Sequence, residues 1–258
     1  MSISTGVSPE TLVTFLLVLI RVGAWLWLTP PFGGRMMPVL VRIMLSIALA
    51  LPMTAMAGAA TKSVPMTVPG LAGAAIVQVI IGVSLGLVCL TLISAVQAAG
   101  AAIDVFGGFS IAQAYDPMLM QQSTVMARVY QLMAGVLLLV SGGYLMLLAG
   151  FANSFQALPL DASWSSSLTA ATLTSALTKF FIATLQIAGP LIGVMVVADL
   201  GLGLVNRVAP SLNAFSLGFP LKIGLTLLLV GFALPLLQPA VTTMTGFAVA
   251  AMQQMTGG

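Results

Sequence analysis

Long apolar runs alternate along the chain with short segments that carry most of its polar residues. Each run is close to or above the roughly 20 residues that an α-helix needs to cross a bilayer. The six runs cover about residues 11–28, 39–57, 71–102, 123–151, 168–204 and 223–252. The third and fifth are too long for one perpendicular crossing, which implies tilt, a break or extension beyond the lipid. The pattern predicts an all-α membrane protein.

The composition indicates an integral membrane protein. Only 5% of the 258 residues are charged, whereas soluble domains carry roughly a quarter charged residues. The chain has no His and one Cys, which excludes the common metal sites, an internal disulfide and nucleophile–His pairs. Cys89 lies among apolar neighbours and is interpreted as a small buried hydrophobe. The net charge of +3 is scattered, so nucleic-acid binding has no support. No cofactor is expected.

Basic residues near the ends of the runs predict the orientation. The first, third and fifth connections hold more of them than the second and fourth, so the odd-numbered connections are predicted to face the cytoplasm, with both termini outside. The two sets are Arg35, Arg42, Arg128, Arg207 and Lys222 against Lys62 and Lys179. The polar first ten residues lack a basic flank, so the first run is expected to be retained.

Three charged residues, Arg21, Lys179 and Asp199, fall inside apolar runs. An unpaired charge costs at least about 2.5 kcal/mol in lipid. These side chains must therefore pair or face protein, or their segments do not all lie in the bilayer.

The segment 99–117 is apolar but does not have the pattern of a helix. Gly107-Gly108 frees the backbone, and Asp116-Pro117 stops a helix. Irregular backbone at membrane depth survives only when it is buried in protein or lines a cavity. We interpret this segment as a constriction. The alternative is a cytoplasmic turn whose aromatic side chains rest on lipid headgroups.

Other breaks are predicted further along the chain. The polar segment 153–167 is the best candidate for a loop in water. Residues 201–222 are predicted to form a second connection that is apolar but not continuously helical. Pro235 and Pro239 predict a kink in the last run. The spacing of Gly82 and Gly86 permits close contact with a neighbouring helix.

Three motifs carry a resemblance to a known family. They are Gly-Phe-Ser-x-Ala-x-x-x-Asp-Pro at 108–117, Ser-Gly-Gly-Tyr-Leu at 141–145 with Ser-Phe-Gln-Ala-Leu-Pro at 154–159, and Leu-Gly-Leu-Gly-Leu-Val-Asn-Arg-Val-Ala-Pro at 200–210, continued by Phe215 and Gly-Phe-Pro-Leu at 218–221. In their order and spacing the chain resembles the FliR family, the export-gate subunit of the flagellar type III secretion apparatus, whose injectisome counterpart is SctT.

The resemblance implies an assembly and a place. FliR-like chains form bent helical hairpins within a closed helical complex of FliP-like and FliQ-like subunits that conducts unfolded export substrates. FlhA-like and FlhB-like export components are further expected partners, beside membrane lipid. Residues 1–150 would be the FliP-like part, with a plug loop at 104–117, and 151–258 the FliQ-like hairpin. The location would be the bacterial inner (cytoplasmic) membrane, at the flagellar basal body.

The resemblance also implies a plug that closes the pore. We name residues 106–115 the plug segment; its expected sealing residues are Phe106, Gly107, Gly108, Phe109, Ser110, Ile111, Ala114 and Tyr115. Its flanking residues are Asp104, Asp116, Pro117, Met118, Met120 and Arg128. Family members often have aromatic residues at the positions of Ile111 and Ala114, so this plug would seal with fewer rings.

Two interpretations stay open for the acidic residues beside the plug segment, and two for the methionines that follow it. Asp104 and Asp116 either form an ion pair with Arg128 that anchors the closed loop, or cap helix ends. Met118 and Met120 either mould around a moving polypeptide or fill gaps between helices.

The third motif is interpreted as a structural hairpin motif. Arg207 would bind backbone carbonyls there rather than substrate, and Asp199 could pair with it. The motif comprises Asp199, Gly201, Gly203, Asn206, Arg207, Pro210, Phe215, Gly218 and Pro220.

The expected function is steric closure of a protein-export channel needed for flagellum assembly, not catalysis. One alternative is a virulence injectisome gate subunit of the same family. Another is a secondary transporter that grips a small solute with broken helices, although no internal repeat is found. A membrane-embedded enzyme is disfavoured, because the sequence contains no nucleophile–base set.

Overall fold

The chain is described by a computed structural model over residues 8–34, 37–61, 66–109, 125–161, 164–208 and 214–257, with the side chains of 214–217 and 219 excluded. Within these ranges it is all-α. The helices are α1 (Pro9–Leu28), α2 (Val39–Ala60), α3 (Val68–Gly107), α4 (Val125–Val140), α5 (Gly143–Ala157), α6 (Ser166–Val208) and α7 (Ala214–Met255).

The predicted apolar runs correspond to these helices. Five of the described helices are long and apolar enough to cross a membrane, and a sixth candidate span is the pair α4 and α5, which is bent by 73°. The bend lies at Gly142, whose φ of 73° is the left-handed conformation that glycine adopts without steric cost. The all-α membrane architecture is confirmed, and the fourth run is divided into two helices at Ser141–Gly142.

The over-long runs are unbroken helices. α3 has 40 residues and α6 has 43, so at 1.5 Å per residue each is about 60 Å long, twice the hydrocarbon thickness of a bilayer. The predicted irregular backbone from residue 99 is wrong as far as Gly107, and the predicted break from 201 is wrong as far as Val208. Single glycines cost a long helix only about 1 kcal/mol each, which its packing offsets.

The polar segment 153–167 is only partly a loop. Its first residues form the last turn of α5, which ends at Ala157, and its last residues begin α6 at Ser166. Asp161, between the two helices, is exposed.

Two compact units can be distinguished by contacts within the chain. One comprises Met1–Leu92, Gly142–Leu177 and Thr245–Gly258, and the other Ile93–Ser141 and Thr178–Met244. Three long helices each contribute a part to both units. Because this grouping concerns contacts and not likeness to partner subunits, the division into 1–150 and 151–258 stays a prediction.

In the first unit, α1 and α3 touch at the two glycines that the spacing singled out. A Cβ on Gly82 would lie 2.6 Å from the carbonyl oxygen of Arg21, and one on Gly86 would lie 3.0 Å from that of Trp25. No larger side chain fits such an approach without moving the helices apart. The prediction of close helix contact is confirmed.

Arg21 is fully buried beside this contact. Its Nε donates to Gln78 Oε1 at 2.6 Å, and its Nη1 donates to the carbonyl oxygens of Ser154 and Leu158 at 3.3 and 3.0 Å. The guanidinium lies 4.5 Å from the ring centre of Phe155. These hydrogen bonds all go to neutral acceptors, and they join α1, α3 and the end of α5. The expectation that a charge inside a run faces protein is confirmed for Arg21.

A second buried arginine closes the turn between α1 and α2. Arg42 stacks on Trp27, with 4.5 Å between the guanidinium carbon and the ring centre. It donates to the carbonyl oxygens of Phe32, Gly34 and Met37. Five donors in one planar group let arginine satisfy several carbonyls of an irregular turn at once.

Aromatic and sulfur contacts fill the rest of this unit. Trp25 stacks on Phe151 with 4.4 Å between ring centres. Cys89 is fully buried, and its Sγ lies 3.6 Å from Met252 Sδ. The interpretation of Cys89 as a buried hydrophobe is confirmed.

The second unit is formed by the end of α3, α4 and parts of α6 and α7. Ala95, Ala183 and Met244 form a small buried cluster, with Phe180 packed against it. Thr184 Oγ1 donates to the carbonyl oxygen of Ala95 at 3.3 Å, so α3 and α6 are joined by a polar contact as well.

The glycine contact in the first unit gives a direct test. We expect Gly82→Ala to lower the free energy of unfolding by about 1–3 kcal/mol, because the added methyl group meets backbone that cannot rotate away. Thermal unfolding of the purified protein in detergent measures this change.

Gly73→Ala is the matched control, because a Cβ at Gly73 in the same helix meets nothing within 4 Å. It should stabilise the helix by about 0.5–1 kcal/mol. Equal effects of the two substitutions would show that helix contact does not explain Gly82.

Candidate functional site

The described part of the candidate site is the base of the plug segment, where α3 ends and α4 begins. Asp104 lies near the end of α3 and is fully buried. Its Oδ2 accepts hydrogen bonds from the backbone N–H groups of Met126 and Ala127, at 2.9 and 3.1 Å. N–H groups in the first turn of a helix have no partner within that helix. Asp104 therefore caps α4, and we call this arrangement the Asp104 cap.

The Asp104 cap fixes both ends of the connection between α3 and α4, which contains most of the plug segment. The chain leaves α3 after Gly107 and enters α4 at Val125, and the cap joins the two helices across that interval. A carboxylate at a helix N-terminus is further stabilised by the helix dipole.

Close packing reinforces the base. A Cβ on Gly100 would lie 2.6 Å from the carbonyl oxygen of Met126 and 2.9 Å from Tyr130 Cβ. A Cβ on Gly107 would lie 2.8 Å from Thr226 Cγ2. The end of α3 thus lies close to α4 at Gly100 and close to α7 at Gly107.

The beginning of the plug segment follows this base. Phe106 belongs to the last turn of α3 and has 38% of its surface exposed, although it is a large apolar residue. Gly108 has a φ of 84°, the left-handed conformation that commonly ends a helix. The predicted backbone freedom of the glycine pair is thereby confirmed at Gly108, whereas Gly107 is helical. Phe109 is partly buried.

The predicted ion pair between Asp104 and Arg128 is wrong. Arg128 is exposed, and its Nη1 donates to Gln131 Oε1 at 2.8 Å, one turn further along α4. Asp104 is instead bound to backbone N–H groups. The capping alternative is confirmed for Asp104, with the difference that it caps a neighbouring helix and not its own.

Several predicted residues lie outside the described ranges, and their roles stay predictions. They are Ser110, Ile111, Ala114, Tyr115, Asp116, Pro117, Met118, Met120 and Pro210.

The structural hairpin motif is only partly brought together. Asp199 forms an ion pair with Lys222, with 2.7 Å between Oδ2 and Nζ, so the predicted pairing with Arg207 is wrong. The pair links α6 to α7, because Asp199 belongs to α6 and Lys222 lies about two turns after the start of α7. Gly218 is buried, and a Cβ there would lie 3.4 Å from Leu202 Cδ1.

The other described members of the motif are helical. Gly201, Gly203 and Arg207 are exposed residues of α6, Asn206 is partly buried there, and Phe215 and Pro220 belong to α7. The proposed binding of Arg207 to backbone carbonyls stays a prediction.

Sequence reasoning missed four residues that make the contacts described above, one of them at the buried Arg21 and three in the second unit. The sequence analysis does not single out Gln78, Tyr130 or Thr226, and it uses Lys222 only for orientation. Gln78 binds Arg21, Tyr130 packs against Gly100, Thr226 contacts Gly107, and Lys222 pairs with Asp199. Gln78 carried a usable signal, because it is a polar residue within a long apolar run. Tyr130 and Thr226 carried none, since their contacts depend on how α3, α4 and α7 pack.

No metal centre is formed by the residues that the structure describes: they contain no group of three or more His, Cys, Asp or Glu side chains that could hold an ion.

The Asp104 cap predicts the effect of removing it. Asp104→Ala should cost about 0.5–2 kcal/mol of stability, the usual value of a helix cap, and should speed proteolytic cleavage between α3 and α4. Asp104→Asn keeps an acceptor oxygen but loses the charge, so its effect should be smaller. Limited proteolysis with mass-spectrometric identification of the cleavage sites measures both.

Arg128→Ala is the control for the rejected ion pair. Because Arg128 is exposed and bonded within α4, its substitution should leave the cleavage rate unchanged. A rate raised as much as in Asp104→Ala would contradict the Asp104 cap.

Most of the chain is similar in sequence to known bacterial proteins. The family model described as bacterial export proteins, family 1, matches residues 12–247. The flagellar biosynthetic protein FliR of Escherichia coli (strain K12) is 31% identical, covering 86% of this chain and 84% of its own. That of Bacillus subtilis (strain 168) is 32% identical, covering 84% of each chain. The surface presentation of antigens protein SpaR of Shigella flexneri is 27% identical over 56% of each. The chain therefore belongs to the family of bacterial export proteins, family 1, which includes the FliR proteins.

Proposed function

We propose that this chain is a subunit of the type III protein-export gate of a bacterial flagellum, in the inner membrane. Two observations support the assignment. The family match extends over nearly the whole chain, and relatives that cover more than four fifths of it are named flagellar biosynthetic protein FliR. The candidate spans agree with a multi-pass membrane location.

Within that gate, the plug segment closes the passage. The observation that carries this step is the Asp104 cap, which ties together the two helices that bear the ends of an apolar connection. A stopper needs fixed ends, so that it can be displaced by a moving polypeptide without being carried along. The cap provides this, because its hydrogen bonds go to backbone N–H groups of α4 and do not involve the plug segment's own side chains.

Partner subunits complete the wall of the passage. In the most apolar stretches of α6 and α7, only 22% and 17% of the residues are buried within the chain. Large apolar side chains such as Phe181, Phe232 and Leu236 are more than half exposed. Such surfaces fit lipid or other apolar helices. We assign much of this surface to FliP-like and FliQ-like subunits, with FlhA-like and FlhB-like components nearby.

The alternatives are less well supported. Flagellar relatives match a larger share of the chain than SpaR does, which favours a flagellar gate over an injectisome gate. The relatives named above are not solute transporters or enzymes by name. The mechanism we propose is steric: the plug segment blocks ions and water until an unfolded export substrate displaces it.

The plug can be tested by deleting residues 107–115. We expect membranes that contain the assembled complex to become permeable to ions, because the closing element is lost while Asp104 and α4 remain. Ion flux into vesicles made from these membranes is the measurement, and co-purification of the partner subunits confirms assembly.

Two controls make the result specific. Replacing 109–115 by a Gly/Ser segment of equal length should also cause leakage, which separates loss of apolar side chains from a shortened connection. The same deletion in cells that lack the partner subunits should cause none. An assembled deletion complex as tight as the wild type would exclude the plug.

A further inference from the structure

The end of α3 is held by a second set of contacts, apart from the Asp104 cap. Thr226 of α7 is fully buried, and its Cγ2 lies 2.8 Å from the position that a Cβ on Gly107 would take. Its Oγ1 donates to the carbonyl oxygen of Lys222 at 2.8 Å, within α7, and lies 3.5 Å from the carbonyl oxygen of Gly107. The Thr226 side chain is therefore fixed by its own helix and rests against the last residue of α3.

Helix α6 reaches the same point. Met195 is fully buried, and its Sδ lies 4.0 Å from Thr226 Oγ1. Parts of α3, α6 and α7 thus meet around the Thr226 side chain, beside the start of the plug segment.

The ion pair between α6 and α7 lies one helical turn from this meeting point. Asp199 follows Met195 by four residues, and Lys222 precedes Thr226 by four. Residues four apart lie on the same face of a helix. The two helices are antiparallel here, because the later residue of α6 meets the earlier residue of α7. The ion pair, with 2.7 Å between its charged atoms, is therefore the next contact of α6 with α7 beyond Met195 and Thr226.

The surroundings of the ion pair are apolar. The side chains of Asp199 and Lys222 are 45% and 18% exposed, and their sequence neighbours Leu200 and Leu221 are 65% and 62% exposed. An ion pair in water contributes little to stability. Partner helices that cover this apolar surface would remove water from the pair, and the attraction between two charges rises as the dielectric constant falls. Either charge without the other would then be costly, so the pair favours contact between α6 and α7.

We propose that Asp199, Lys222 and Thr226 form a latch that positions the start of the plug segment. The ion pair keeps α6 against α7, and Thr226 in turn holds Gly107. The Asp104 cap joins the end of α3 to α4, whereas the latch joins it to α6 and α7. The three latch residues are positioning residues, since they act on the plug segment through Gly107. The inference rests on the proposed closure of the export passage by the plug segment.

The experiment reverses each charge of the latch in the complex assembled with its partner subunits. Asp199→Lys and Lys222→Asp each place two like charges together. Ion flux into vesicles, measured per assembled complex, should rise about fivefold, which corresponds to the upper end of the range for exposed ion pairs. Hydrogen exchange of the backbone amides of residues 103–107, measured by mass spectrometry, should also become about fivefold faster, because local opening governs exchange.

The double variant is the test of pairing. Asp199→Lys combined with Lys222→Asp restores the attraction with its polarity reversed. Flux and exchange should both return to within about twofold of the wild type. Two substitutions that act separately on the stability of α6 and of α7 would instead give a larger combined effect.

A threonine pair tests the contact with α3. Thr226→Ala removes the methyl group that meets Gly107 and leaves both charges in place, so flux should rise about threefold. Thr242→Ala is the matched control, because Thr242 is an exposed residue of α7 whose hydroxyl also donates to carbonyl oxygens of its own helix. Its substitution should leave flux unchanged.

Three results would overturn the latch. They are wild-type flux and exchange in both single reversals, a double variant no closer to the wild type than the single ones, and faster exchange without greater flux. Failure of the plug itself is recognised separately, because deletion of 107–115 then causes no leakage while exchange still reports whether the ion pair holds α3. If the charge reversals fail to assemble, Thr226→Ala decides between the outcomes.

Discussion

The hydrogen bonds between the Asp104 carboxylate and two backbone N–H groups of α4 are the constraint on which this account depends. They fix the two ends of the connection between α3 and α4 from within the protein core. Gly100 allows α3 to come close to α4 beside these bonds, and Gly107 allows a close approach of α3 to Thr226 of α7. In the proposed mechanism, a base fixed in this way is the property that a reusable plug requires.

Hydrogen bonds from a buried charged side chain to backbone groups also explain the two buried arginines. An unpaired charge within an apolar protein is costly, yet Arg21 and Arg42 are buried. Each donates several hydrogen bonds to backbone carbonyls or an amide oxygen and stacks on an aromatic ring. Charges are therefore used here to satisfy irregular backbone where helices end.

Hydrophobic patterning was enough to predict the helices, but it could not predict how they end or what they contact. The runs, the close contact at Gly82 and burial of Cys89 follow from local pattern. Segment 99–107 was misjudged because a glycine in a helix costs little when packing supports it. The pairings of Asp104 and Asp199 were misjudged because their partners, Met126 and Lys222, are distant in sequence and are brought near only by helix packing.

The most direct test places a cysteine at Ile111 in a chain whose buried Cys89 is replaced by alanine. In the idle complex, a membrane-impermeant thiol reagent should react with it far more slowly than with a cysteine at the exposed Asp161. With an export substrate stalled in the complex by a folded fusion, an added thiol oxidant such as copper–phenanthroline should link it by a disulfide to a cysteine in the substrate. Fast modification in the idle complex and no disulfide with the stalled substrate would contradict the claim that this segment closes the export passage.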